Sequence, residues 1–323
     1  MAKYRRPLPP LGNLTNVPGK PIGVIELDRF TERSLDQWKS YSKDLDELHD
    51  VLYFTLEPER RRLRSELMGA LQQSVPVVLA LPRWVRLVTY QFSTMPLSCA
   101  GSLTSVGGRF NPGCDLDEGT LNPWPALYMA EDYETGFREK FQLAQSDRVN
   151  GLTPAELALG PTISYSTVFV QGKLHQVFDM TSPQTLEAVA KVLRCVKLPD
   201  RAQQLRKKLG IPNRQPAMIR SGQALYQAVF QHNWRLLPIQ FGLPSTSHML
   251  AELVRAAGFE AILYCSSKGS GRCLAVFPDK LHSASFVELA DAAPDEVQLR
   301  RLDANTADVL AAWDALRPQQ RPK

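Results

Sequence analysis

The sequence predicts an α+β fold, a mixed β core with surrounding helices and a helical N-terminal extension. Three observations predict it. Short alternating or apolar runs at Trp84–Tyr90, Pro125–Ala130, Thr162–Val170, Phe259–Tyr264 and Cys273–Phe277 read as strands. Stretches with helical spacing lie between them, but without the steady strand–helix rhythm of a doubly wound sheet. At 323 residues and 44% hydrophobic, the chain is long enough for one large core with extensions.

Residues 1–23, with several Pro and Gly, read as an extended arm. From Asp28 to His49, the apolar positions Leu35, Trp38, Leu45 and Leu48 fit a surface helix. Pro58 opens a second helix with Leu63, Leu67 and Leu71 on one face and the arginines 60–62 and 64 on a solvated one. The run Val77–Pro82 ends the helical part, and a strand follows from Trp84. Asp132 is placed to cap a helix running towards Gln145, with Glu134 in its first turn. Further helices are expected over Ser182–Val196, Asp200–Leu209 (stopped by Gly210) and Ser221–Gln231. Another, capped by Ser245 or Thr246, carries an apolar face of Met249, Leu250, Leu253 and Val254 and closes at Gly258. Ser283–Leu289 reads as a last strand and Val297–Leu316 as a last helix.

Composition excludes several function classes. The net charge of +5 is a mild excess that suits an anionic ligand. There is no lysine-rich run with interleaved aromatics, which argues against nucleic acid as the main ligand. The five cysteines, Cys99, Cys114, Cys195, Cys265 and Cys273, are scattered and never in a C-x-x-C pair, so they read as buried free thiols in a reducing cytosol. The histidines at 49, 175, 232, 248 and 282 form no ligand-spaced pair, and no metal is expected. With no apolar window of membrane length and no signal-peptide core, the chain reads as cytoplasmic; export without a cleaved signal would leave the same sequence.

Two segments stand out chemically. In Gly107-Gly108-Arg109-Phe110-Asn111-Pro112-Gly113, paired glycines allow close backbone approach, and an arginine there can fork two bonds onto a phosphate. On its own this segment reads as a tight surface loop. No G-x-G-x-x-G, Walker-type loop, H-E-x-x-H or G-x-S-x-G elbow is present. The second segment places Tyr128 on a strand and Glu139 on the helix after it. Taken singly, they read as a core aromatic and a solvated glutamate. A strand–turn–helix of this length brings both to one cleft, where a carboxylate beside a phenol can orient a ribose hydroxyl or stabilise a forming cation.

Together the segments resemble the RES family from about Trp84 to about Phe277. The resemblance is carried by Trp84-Val85-Arg86 at the end of an opening strand, the Gly-Gly-Arg-aromatic-Asn-Pro turn at 107–112, Tyr128 followed by Met-Ala-Glu, Glu139, and Gly258-Phe259-Glu260-Ala261-Ile262-Leu263-Tyr264-Cys265-Ser266-Ser267. Two departures stand out. Residues 114–124 are extra, as a loop that could lid the site or dock a partner. Cys265 replaces the family's usual proline, so the choice between Ser266 and Ser267 stays open.

The resemblance implies an ADP-ribosyltransferase-like core over residues 76–290, between an N-terminal arm and helical extension (1–75) and a C-terminal helix and tail (291–323). It implies a toxin that cleaves the nicotinamide–ribose bond of NAD⁺, by hydrolysis or by phosphorolysis with phosphate as co-substrate. Glu139, Arg86, Tyr128 and Ser266 would serve the reaction; Arg109, Gly108, Asn111 and Ser267 would hold substrate. No cofactor is expected beyond NAD⁺ as substrate. A cognate antitoxin is the implied partner, and a homo-oligomer is compatible with the reading. ADP-ribosyl transfer to a macromolecule and a non-catalytic adaptor are the alternatives.

Overall fold

A computed structural model describes residues 32–143, 164–212, 218–230 and 233–312. The arm over residues 1–23, the start of the strand at Thr162, residues 144–145 of the capped helix, Gln231, His232 and the chain from 313 onwards lie outside the described residues. The first described element, α1 (Glu32–Arg62), is one helix where the sequence predicts two, and Pro58 lies inside it. A proline there removes one backbone bond. Glu57 pairs with Arg60 and Arg61, and Glu59 with Arg62, which ties the turns around Pro58 together. Then come α2 (Arg64–Gln72) and β1 (Val77–Thr89). The strand starts earlier than expected because Pro82 falls at the register shift between Leu81 and Trp84, where its missing N–H interrupts no ladder bond.

The turn strands β2 (Gly107–Gly108) and β3 (Asn111–Pro112) precede β4 (Leu127–Ala130) and α3 (Tyr133–Phe141). Asp132 caps α3 as expected, accepting from the Thr135 N–H at 2.8 Å. The long β5 (Tyr165–Asp179) leads to α4 (Glu187–Leu193), α5 (Asp200–Lys208) and α6 (Gly222–Phe230). A short helix not expected from the sequence, α7 (Leu236–Phe241), precedes α8 (Thr246–Ala256). The strands β6 (Ala261–Cys265), β7 (Arg272–Val276), β8 (Phe286–Leu289) and β9 (Arg301–Leu302) and the helix α9 (Ala307–Ala311) complete the described chain. β9 and the shorter α9 replace the predicted helix from Val297. Leu302 pairs with Val287 and is fully buried, and Asp303 accepts from the N–H groups of Asn305 and Thr306 to force a turn.

The sheet runs β1-β4-β7-β6-β5-β8-β9, and β1 also pairs with β5. The strands β1, β4, β7, β6 and β5 therefore form a closed ring, with β5–β6 its parallel pair. Strand alternation divides the core. On β6, Ile262 and Tyr264 face the helices α2, α4, α6 and α8, whereas Ala261 and Leu263 face the other cluster with Trp84, Leu127 and Leu174. Leu63, Leu67 and Leu71 of the N-terminal segment belong to the first of these clusters. Leu48 of α1 forms a third cluster with Ala202 and Leu205 of α5 and with Leu209, which caps that helix. The extra loop docks on the end of α7, where the Asp117 N–H donates to the Gly242 carbonyl, and none of residues 114–124 lines the cleft described below.

All five cysteines are free. The expectation of buried thiols holds for Cys99 and Cys273 but not for Cys114, Cys195 and Cys265, which are exposed. No described helix is long and apolar enough to cross a membrane.

Candidate active site

A cleft of about 240 Å³ opens between β1, β4, α3, the 107–112 turn and the Trp234–Arg235 segment that precedes α7. Its lining includes Arg86, Gly108, Arg109, Tyr128, Glu139, Lys140, Trp234 and Arg235. Of the residues the sequence singles out, Arg86, Gly108, Arg109, Tyr128 and Glu139 thus share one cavity.

The 107–112 turn is built from buried neutral hydrogen bonds. Gly107 has φ 86°, and a Cβ on Gly108 would lie 2.5 Å from the Tyr128 hydroxyl, so neither position tolerates a side chain without movement. The Tyr128 hydroxyl accepts from the Phe110 N–H at 2.9 Å and donates to Asn111 Oδ1 at 2.8 Å. Burial pushes the Tyr128 phenol up, so it stays protonated. Asn111 is fully buried; its amide donates to the carbonyls of Ser102 and Trp124, and its Oδ1 also accepts from the Gly108 N–H. The expectation that Asn111 binds substrate therefore meets a side chain enclosed in the frame of its own turn. His248, on α8, reaches the same turn. Its Nδ1 accepts from the Ser245 N–H, so its Nε2–H donates to the Gly108 carbonyl, at 2.7 Å. Burial lowers the His248 pKa to about 4 and keeps the ring neutral.

The opposite wall is polar and partly exposed. The Ser266 hydroxyl donates to Glu139 Oε1 at 2.6 Å and accepts from the N–H groups of Lys268 and Gly269. The Ser267 N–H donates to the same Oε1, at 3.2 Å. Ser267 presents its hydroxyl to Arg109, whose Nη2 donates to it at 3.2 Å. The two hydroxyls so have different partners, the glutamate for Ser266 and the arginine for Ser267, although both residues bond Glu139 Oε1. The loop that carries them is pinned to α3, because the Gly271 N–H donates to Thr135 Oγ1.

Four cations, Arg86, Arg109, Lys140 and Arg235, line the cleft against a single carboxylate, Glu139. Arg86 is held from three directions, donating through Nε to Pro96, through Nη1 to Tyr128 and through Nη2 to Ser98, all backbone carbonyls at 2.8–2.9 Å. Burial lowers its pKa. Lys140 donates to Thr89 Oγ1, and burial together with Arg86 lowers its pKa. Burial and Arg109 do the same to Arg235. A cleft that crowds cations in this way favours an anionic ligand. Lys140, Trp234, Arg235 and His248 were not singled out from the sequence. Only Lys140 carried a signal, its place next to Glu139. Among the described residues no cluster of His, Cys, Asp or Glu is arranged to hold a metal ion.

A family model described as the RES domain matches residues 83–300, roughly two thirds of the chain. The chain belongs to the RES domain family. The match covers both walls of the cleft and extends beyond Phe277 to take in β8. Among solved structures, the RES chain is similar to one from the crystal structure of the M. tuberculosis MbcT–MbcA toxin–antitoxin complex, at 14% identity and a TM-score of 0.38, over 76% of this chain and 97% of that one. Comparison with curated proteins gives no match.

Proposed function

We propose that this RES protein is an NAD⁺-degrading toxin that cleaves the nicotinamide–ribose bond. The observation that carries the reading is the state of Glu139. Its Oε1 is fixed by the Ser266 hydroxyl and the Ser267 N–H, Oε2 has no hydrogen-bond partner among the described residues, and the cleft around it is cationic. A carboxylate held by one oxygen and open at the other is suited to stabilise positive charge developing on a ribose. Nicotinamide leaves as a neutral group with the bond's electron pair, so no strong general acid is needed. Water, or an oxygen of inorganic phosphate, then bonds to the ribose carbon and loses its proton, yielding ADP-ribose or its 1-phosphate. Arg109 and its neighbours would hold the pyrophosphate. Tyr128 acts on the turn, because its hydroxyl is already bonded to Phe110 and Asn111. None of these steps calls on a metal. A cognate antitoxin is the partner that family membership suggests, and the neighbouring gene is where it would be encoded.

Purified protein incubated with NAD⁺ and a chelator should release nicotinamide. A rate that climbs with phosphate identifies phosphorolysis, and a rate indifferent to it identifies hydrolysis. Labelled NAD⁺ that marks a protein band in lysate would replace the proposal with ADP-ribosyl transfer. Absence of NAD⁺ binding by calorimetry would leave the adaptor reading.

A further inference from the structure

Arg86 and Arg109 are the arginines marked out by the sequence, but the cleft gives them different work. Three backbone carbonyls already occupy Nε, Nη1 and Nη2 of Arg86. Arg235 has the opposite character. Its guanidinium lies over the Trp234 ring, 4.5 Å from the centroid, and makes one side-chain hydrogen bond, from Nη1 to Gln142 Oε1 at 3.0 Å. It forms no ion pair among the described residues, and most of its N–H donors remain unused. Its electrostatic neighbours are Arg109, which opposes its charge, and Glu139 and Tyr128, which favour it. Trp234 is nearly buried and packs edge-on against His248, so the platform beneath the guanidinium is rigid.

We infer that Arg235 is the second arm of a pyrophosphate clamp with Arg109, and that it sets the preference of the site for a dinucleotide over a nucleoside. This rests on the NAD⁺ reading above. Arg109 donates through Nη1 to the Val229 carbonyl and through Nη2 to the Ser267 hydroxyl, which fixes its fork at the cleft, while most donors of Arg235 stay open. Two guanidiniums at one cleft are stabilised by a bridging diphosphate that accepts from both. The stacked ring holds the planar fork of Arg235 in one orientation, which a lysine cannot reproduce. Arg235 sits just before α7, outside every segment in which the motifs lie. The nicotinamide riboside part of the substrate lacks the pyrophosphate and gains nothing from this arm.

The test is Arg235→Gln, with Arg235→Lys beside it, both checked for an unchanged thermal midpoint. Calorimetry with ADP-ribose should show affinity falling about 10- to 100-fold in the glutamine variant and by an intermediate factor in the lysine variant. In turnover, kcat/KM for NAD⁺ should fall at least about ten-fold more than kcat/KM for nicotinamide riboside, with the loss mainly in KM. An equal fall for both substrates, carried by kcat, would overturn the inference and make Arg235 a prop for α3 through Gln142. Unchanged ADP-ribose affinity in a protein that consumes NAD⁺ would sink the inference alone. A wild type that neither binds ADP-ribose nor consumes NAD⁺ would bring down the underlying reading as well.

Discussion

The two walls of the cleft are built by different physics. The Gly107–Pro112 turn is held by groups that stay neutral: the Tyr128 phenol, the Asn111 amide and the His248 imidazole. The Glu139 wall is held by hydrogen bonds to a charge from a partly exposed loop, with one carboxylate oxygen left open. Buried neutral networks give position, since each unpaired member would be costly. The partly exposed charged wall holds its carboxylate by one oxygen and leaves the other open, which suits it to the reaction proposed above. The comparison predicts that damage to the second wall costs activity and damage to the first costs stability.

The largest expected effect is on turnover. Glu139→Gln should lower kcat for NAD⁺ about 100-fold or more while the thermal midpoint hardly moves, because the amide can still accept from Ser266. An unchanged rate would remove Glu139 from the reaction and dissolve the contrast between the walls. Next comes pH. The folded His248 pKa of about 4 lies below the ordinary 6.5, so the unfolded chain takes up the proton first as pH falls. The stability that depends on a neutral ring is complete above pH 6.5 and declines as pH drops from there towards 4, by up to about 3 kcal/mol. Urea unfolding of wild type and His248→Gln across that window reads the difference, and parallel curves would show that the imidazole does not titrate with folding. The smallest effect belongs to a single hydroxyl. Tyr128→Phe leaves the Phe110 N–H and Asn111 Oδ1 short of a partner and should cost about 1–3 kcal/mol in urea unfolding. A turnover loss in that variant without any loss of stability would move Tyr128 to the reactive wall.

How far each feature could be read from sequence follows the range of the interaction behind it. The Asp132 cap, the strand–turn–helix that carries Tyr128 and Glu139, and the glycine turn before Arg109 are local, and their residues lie close along the chain. α7 left no such mark: it is six residues long with Pro238 inside it. The C-terminal segment reads as helical by spacing, but burial of Leu302 beside Val287 decides for a strand.

By itself the sequence determined the α+β class, most of the strands and helices, the family resemblance and the chemical types gathered at the cleft. Periodicity, capping and turn chemistry act over a few residues and are written in their order. The tertiary structure decided the division of labour. It enclosed Asn111 in its own turn, occupied Arg86 with backbone carbonyls, gave the Ser266 hydroxyl to Glu139 and the Ser267 hydroxyl to Arg109, and brought Trp234, Arg235 and His248 to the site. Those outcomes depend on which distant groups meet and which hydrogen bonds are already taken, and packing alone settles that.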